Sequence, residues 1–396
     1  MRIALIGTRG VPARYGGFET CVEEVGSRLA ARGHDVLVFC RPTYDVDEPV
    51  TPLTAYKGMR LVQLPIVRRR SIETLLHTAL SVCHRSLGET DAAIVFNAAN
   101  SPLLPVLRAR RIPVATHVDG LEWLRAKWGV AGRRYYRLAE RMAVRWSDSI
   151  IADARGIADY YLDEFGTASS LIAYGAPIVT ATDPGRLEEL DLSPGKYHLV
   201  VARFEPENHV LDIVRGYEMS GAELPLVVVG SAPYADAYTA EIRAVAGPRV
   251  RLLGGVWDQE QLDQLYNHAL TYLHGHSVGG TNPSLLRATG AGTFTIAFDV
   301  AFNREVLGDG AAYFSSVGDV ARGLLAAESD PAATTLQGAR LQRAVERYNW
   351  DDVTDRYEAL CEDLAARVLQ PSRGRGRRIG GSSTSRGWLP EAVNHR

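Results

Sequence analysis

Two series of short, uniformly apolar runs divide this chain, and most runs are followed by a stretch with helical spacing. The first series contains Arg2–Gly7, Val36–Cys40, Ala92–Phe96, Pro113–Val118 and Ser149–Ala152. A strand buried on both faces reads as a continuous apolar run rather than as an alternation. Between the first two runs, Phe18, Val22, Val25 and Leu29 recur at helical spacing, and Gly33 stands where a helix ends. Arg133–Trp146 is the clearest of the later helical stretches. The second series contains His198–Arg203, Leu224–Gly230, Val250–Gly254, Leu270–His274 and Phe294–Phe298. Strands alternating with helices predict α/β architecture, with parallel sheets covered on both faces. The sequence therefore predicts two doubly wound domains, 1–179 and 197–348, joined by a Thr-, Asp-, Pro- and Gly-rich linker at 180–196. In such sheets ligands sit at the carboxyl ends of the strands. Val317–Ala327, Ala333–Arg347 and Asp351–Arg367 read as terminal helices, the last within a closing segment 349–369. From 370 to 396 the chain is Arg-, Gly- and Ser-rich, lacks core-forming periodicity and reads as a disordered basic tail.

Charge and cysteine content narrow the function classes. The 396 residues carry a net charge of -2, but 1–180 sum to +5, 181–366 to -13 and 367–396 to +6. A basic half joined to an acidic half suits different partners, with a phosphate-bearing substrate or an anionic membrane on the first. Four widely spaced cysteines without a CxxC pair argue against a disulfide scaffold and a CxxC zinc site. No apolar run reaches the ~18 residues of a membrane span. The opening run is too short for a signal peptide. These features predict a cytoplasmic protein, at most peripheral to a membrane.

Loops at the predicted strand ends hold the chemistry. Thr8 to Glu19 links the first strand to the first helix, and the backbone of Gly16 and Gly17 can approach a phosphate at the positive end of that helix. The loop is neither GxGxxG nor a Walker A sequence. In the second domain, Arg203 to Asn208 follows the first strand, and Gly279-Gly280-Thr281-Asn282-Pro283-Ser284 opens a helix that Ser284 or Thr281 can cap. An arginine facing a helix N-terminus would clamp a diphosphate; a surface pair with Glu205 or Glu207 is the plainer use of Arg203. His274 and His276, two apart, read as a satisfied or solvent-facing pair rather than as metal ligands. Trp123, Trp128, Tyr135 and Tyr136 beside Arg125, Lys127, Arg133 and Arg134 read as helix packing, with an acceptor or membrane strip as the other reading.

Three segments carry a family resemblance: Gly7-Thr8-Arg9-Gly10 with Tyr15-Gly16-Gly17-Phe18-Glu19-Thr20, Asp119-Gly120-Leu121-Glu122-Trp123, and His274 through Leu286. Over about residues 1–366 the chain resembles family 4 glycosyltransferases, and within them the bacterial rhamnosyltransferase-like branch of capsule and cell-wall polysaccharide synthesis. The resemblance implies the GT-B fold: two facing Rossmann-like domains, acceptor on the first, nucleotide-sugar on the second, and a C-terminal helix crossing back. It implies that Gly16 and Gly17 lie near the donor phosphates, that Asp119, with His117 as the other candidate, faces the reacting sugar, and that Arg203 binds the diphosphate. Asn208 stands where many relatives carry a lysine. Gly254 and Val256 would border the base, and Gly280, Thr281, Asn282 and Ser284 would cradle phosphates and sugar. Where these enzymes usually carry a ribose-binding glutamate, this chain has Arg287, and Gly279 replaces the glutamate eight positions earlier. A guanidinium has no acceptor, so Arg287 would meet the diphosphate instead.

The expected activity is retaining transfer of a sugar, rhamnose among the candidates, from a nucleoside diphosphate donor to a hydroxyl of a growing, polyprenyl-linked glycan. It would take place at the inner face of the plasma membrane. No cofactor, metal or nucleic-acid partner is implied. The rival is a non-catalytic relative that acts on another transferase, with Arg287 marking a decayed site.

Overall fold

The structure is a computed structural model and describes residues 1–13, 16–42, 53–66, 73–118, 120–125, 127–179, 183–230 and 236–369. Asp119 and the tail from 370 lie outside them. The predicted apolar runs form strands. β1 (Arg2–Ile6), β2 (Asp35–Cys40), β3 (Ala55–Tyr56), β4 (Met59–Gln63), β5 (Ala92–Phe96), β6 (Val114–His117), β7 (Ser149–Ala152) and β8 (Ser170–Leu171) make one sheet, ordered β3-β4-β2-β1-β5-β6-β7-β8. Every pairing in it is parallel except β3 with β4. β9 (His198–Val201), β10 (Leu226–Val229), β11 (Val250–Gly254), β12 (Thr271–His274), β13 (Phe294–Phe298) and β14 (Ala312–Phe314) form a second, all-parallel sheet, ordered β11-β10-β9-β12-β13-β14.

In each sheet the first strand of the series lies inside and the order reverses beside it. That reversal opens a crevice at the carboxyl edge. Central strands are buried along their length: Ile3 to Ile6 and Ala92 to Phe96 are almost wholly inaccessible. Apolar burial at ~25 cal/mol per Å² is the main force holding such layers.

The segment 183–196 is largely exposed but anchored to the second domain. Gly185–Glu188 is helical, Leu187 is fully buried, and the Arg186 N–H donates to Gln264 Oε1 at 2.8 Å. The final helix, Trp350–Ala365, lies on the first domain. Arg28 Nε meets Asp351 Oδ1 at 2.9 Å, Arg32 Nη1 meets Asp355 Oδ1 at 2.7 Å, and His34 Nε2 lies 2.7 Å from Glu358 Oε1. Trp350 fills the space beside Gly175, where a Cβ would stand 2.3 Å from the indole. No helix among the described residues is long and apolar enough to cross a membrane.

Candidate active site

Loops at the carboxyl edges of the two sheets meet face to face. Gly16 begins the helix Gly17–Ala31 with φ at 106°, a left-handed conformation that glycine adopts without a Cβ clash. Glu19 Oε1 accepts from the Arg9 N–H at 3.0 Å and holds the loop in place. A Cβ on Gly17 would stand 3.3 Å from the Pro283 ring, across the cleft. Gly120 packs backbone to backbone on Gly279: a Cβ at 120 would stand 2.3 Å from Gly279 Cα. Thr281 Oγ1 donates to the Asp153 carbonyl at 2.6 Å, and a Cβ on Gly280 would stand 2.0 Å from Asp153 Oδ1. The glycines of both loops thus let the two domains approach at the cleft.

On the second domain, Asn282 caps the helix Pro283–Gly290. Its Oδ1 accepts from the Ser284 N–H at 2.9 Å and the Ser284 hydroxyl at 2.7 Å. The expected caps differ from this: Ser284 is the residue capped, and also receives the Tyr272 hydroxyl at 3.0 Å, while Thr281 is committed to the first domain. Arg203, just past β9, keeps a half-exposed side chain, with Nη2 3.6 Å from Glu205 Oε2. Asn208 is fully buried and donates from Nδ2 to the Arg203 carbonyl at 2.8 Å, so its amide shapes the turn that presents Arg203. Gly254 ends β11, and its carbonyl accepts from the Gly230 N–H at 2.7 Å; Val256 follows, half-buried.

Cations and carboxylates alternate around these loops, with Arg203 and Arg125 beside Glu205 and Glu207. The rings of His274 and His276 stack 4.5 Å apart. Burial first, then neighbouring His274, Arg203, Arg125 and His209, hold the His276 imidazole well below its ordinary pKa. A helix N-terminus and a half-exposed guanidinium beside neutral imidazoles favour an anion. Among the described residues no group of three or more His, Cys, Asp or Glu is placed to hold a metal ion.

Two expectations need correction. His117 has no exposed surface: Nδ1 bonds the Tyr357 hydroxyl at 3.0 Å, Phe18, Phe96 and Tyr174 surround the ring, and burial lowers its pKa to about 3. It therefore joins the core to the final helix and does not face the cleft. Arg287 does not point a free cation at the cleft. Its Nε donates to Asp263 Oδ1 at 2.7 Å, and the Gln259 amide oxygen, once turned inward, accepts from Nη1 at 3.1 Å. Both partners lie on the helix Gln259–Asn267 of the same domain.

Two groups were not foreseen. Asp153, at the end of β7 and 1% exposed, presses its carboxylate on Gly280. Its signal was present, an acidic residue ending a buried strand at the ligand-binding edge. The buried Arg125 pairs with Glu122 in its own domain and reaches Glu205 at 3.6 Å and Glu207 at 3.7 Å in the other. The aromatic residues beside it pack as expected: Tyr135 donates to the Ala99 carbonyl at 2.6 Å, and Trp128 lies 5.0 Å from Tyr136.

Comparison with known proteins agrees with this arrangement. Residues 16–174 match the model of a glycosyl transferase 4-like domain, and residues 173–340 that of glycosyl transferases group 1. No curated protein sequence matches significantly. Sucrose-phosphate synthase from Thermosynechococcus elongatus is similar in structure with a TM-score of 0.78 at 19% identity, covering 92% of this chain and 99% of that one. HepE of Anabaena in complex with UDP has a TM-score of 0.71 at 14% identity, covering 92% and 100%. The E. coli trehalose-6-phosphate protein bound with UDP-2-fluoro glucose has a TM-score of 0.69 at 12% identity, covering 92% and 99%. The two facing parallel-sheet domains are the GT-B fold. Built of a glycosyl transferase 4-like domain followed by a group 1 domain, the chain belongs to the glycosyltransferases.

Proposed function

We propose that the chain moves a sugar, rhamnose among the candidates, from a nucleoside diphosphate donor to a hydroxyl of a growing polyprenyl-linked glycan, with retention at the anomeric carbon. The observation that carries this reading is the half-exposed Arg203 past β9 and the Asn282-capped helix that follows the neighbouring β12, both at the carboxyl edge of the second sheet, with Gly17 of the first domain against Pro283. Charge-assisted hydrogen bonds from such a cradle contribute ~1.5–3 kcal/mol each and stabilise the departing diphosphate. The acceptor oxygen bonds to the anomeric carbon as the carbon–oxygen bond to the diphosphate breaks. The acceptor proton passes to the leaving diphosphate on the same face. In this reading Asp119 approaches the reacting sugar, Gly254 and Val256 border the base, and Gly280, Thr281, Asn282 and Ser284 surround the phosphates. No cofactor or metal takes part. The UDP in HepE and the UDP-sugar in the trehalose-6-phosphate protein support a nucleoside diphosphate donor.

The helix Val130–Trp146 supports a peripheral place on the cytoplasmic face of an anionic membrane. It turns Arg134, Arg137, Arg141 and Arg145 outward with Val130 and Leu138, whereas its Glu140 is buried. Such a face gains ~1 kcal/mol per basic residue near anionic lipid. The test is incubation with a panel of nucleoside diphosphate sugars and a polyprenyl-diphosphate-linked glycan, with the product linkage read by NMR. Transfer with retained configuration is expected. Donor binding without transfer would favour the non-catalytic role, and inversion would overturn the proton route.

A further inference from the structure

A cavity of about 280 Å³ lies away from the cleft, where the first domain meets the end of the final helix. Arg108, Arg111, Arg367 and Asp148 line it, with Leu364 and Leu369 among its apolar walls. It opens at the amino-terminal edge of the first sheet, since Asp148 stands just before β7 and Pro113 just before β6. The charges do not cancel. Asp148 is fully used: Oδ1 pairs with Arg108, and Oδ2 accepts from the Val114 N–H at 2.9 Å. Arg367 Nη2 donates to the Arg111 carbonyl at 2.8 Å, and among the described residues its other guanidinium N–H groups have no partner and can meet a ligand. The Arg111 side chain is exposed and makes no hydrogen bond or ion pair among the described residues.

Backbone geometry sharpens the point. Arg111 has φ 60° and Arg367 φ 55°, each just beyond the end of a helix, Leu104–Ala109 and Trp350–Ala365. Glycine or asparagine is the usual residue in that left-handed conformation. Arginine there is disfavoured, and backbone held in sparsely populated regions gathers at ligand-binding sites. Capping a helix end accounts for one N–H of Arg367 and for none of the Arg111 guanidinium. Two uncompensated guanidinium groups, Arg111 and Arg367, beside the Arg108–Asp148 pair, in a space the size of a small ligand with an apolar wall, match a phosphate ester.

We propose that this cavity is a second anion site, which takes a phosphate ester between the first domain and the final helix. The phosphate belongs either to a soluble sugar phosphate or to a lipid headgroup. By bridging Arg108 and Arg111 to Arg367 it fastens the final helix to the first domain. The site does not depend on the identity of the donor or acceptor.

Arginine-selective labelling with phenylglyoxal, read by peptide mass spectrometry on the full chain, tests it. Inorganic pyrophosphate, glucose 6-phosphate, and vesicles of phosphatidylglycerol or of phosphatidylcholine alone serve as probes. At least a threefold slower labelling of Arg111 and Arg367 is expected with a phosphate probe. Protection by the soluble probes alone assigns a soluble ligand. Protection by the phosphatidylglycerol vesicles, and not by phosphatidylcholine, assigns a headgroup. Arg111→Gln, which breaks no side-chain bond among the described residues, should weaken the protecting probe at least tenfold at Arg367 while Arg203 labelling is unaffected. No protection at either arginine, or equal protection in Arg111→Gln, overturns the site.

Discussion

Gly120→Ala isolates the contact between the two domains. Gly120 is not among the positive-φ glycines, so its backbone accepts alanine. The new Cβ would stand 2.3 Å from Gly279 Cα, 2.5 Å from its carbonyl carbon and 2.8 Å from its oxygen. Ordinary contact begins near ~3.4 Å, so the two backbones must separate by about 1 Å, and overpacking of this kind costs ~1–3 kcal/mol. The clash lies between domains, so the molecule relieves it by opening rather than by unfolding. Closure becomes less favourable by the same amount, which corresponds to about 5- to 150-fold in affinity for a ligand that needs both faces. Titration calorimetry with the nucleoside diphosphate sugar should therefore show weaker binding by that factor, while the melting temperature of the empty protein changes by under about 2 °C. Gly129→Ala, with nothing within 4 Å of its Cβ, is the control and should match wild type. Donor affinity within twofold of wild type in Gly120→Ala would refute the link between this contact and donor binding.

Three further outcomes are expected. Arg203→Ala should weaken nucleoside diphosphate binding by ~2 kcal/mol and leave stability nearly unchanged, since the half-exposed side chain makes one ion pair at 3.6 Å; calorimetry with a melting curve checks both. Burial raises the Glu140 carboxyl to about 7, although the Tyr160 hydroxyl donates to it at 2.9 Å. The folded state then binds the proton more tightly than the unfolded one, so stability should fall as pH rises from about 4.5 to about 7 and level off above, by up to about 3 kcal/mol; denaturant titrations of Glu140→Gln should show this slope removed. Arg287→Glu would face the Asp263 carboxylate and lower the melting temperature by several degrees, and adding Asp263→Lys should restore it; failure of that rescue would show that the Arg287–Asp263 pair is not what holds the two helices.

Inner strands were legible because they are buried on both faces: Ala92–Phe96, Ser149–Ala152 and Phe294–Phe298 match the apolar runs residue for residue, and so does Val250–Gly254, although it is a half-buried edge strand. The strands missed were β3, β4, β8 and β14. They are short and mixed in burial, as in Met59–Gln63, and such residues carry no clear period. Glycines on the cleft loops were legible from their spacing, but what they approach was not. The contacts of Gly120 with Gly279 and of Gly280 with Asp153 join residues far apart in the chain. Arg125 reads in the sequence as one of the basic residues beside a packed aromatic group, and its reach to Glu205 and Glu207 depends on how the domains meet. His117 sits at the end of a strand, where a site residue is expected; Tyr357, 240 positions on, draws it into the core. Arg287 lacked a visible partner because Asp263 belongs to the preceding helix, on the far side of β12 in the sequence.

Hydrogen–deuterium exchange with and without a panel of nucleoside diphosphate sugars tests the central claim most directly. The account predicts that a donor slows exchange at the amides of the Gly279–Ser284 loop and around Arg203, with a smaller effect at Gly16–Gly17 as the two faces close on it. Protection absent from both second-domain segments with every donor at saturating concentration, or confined to the first domain, would contradict it.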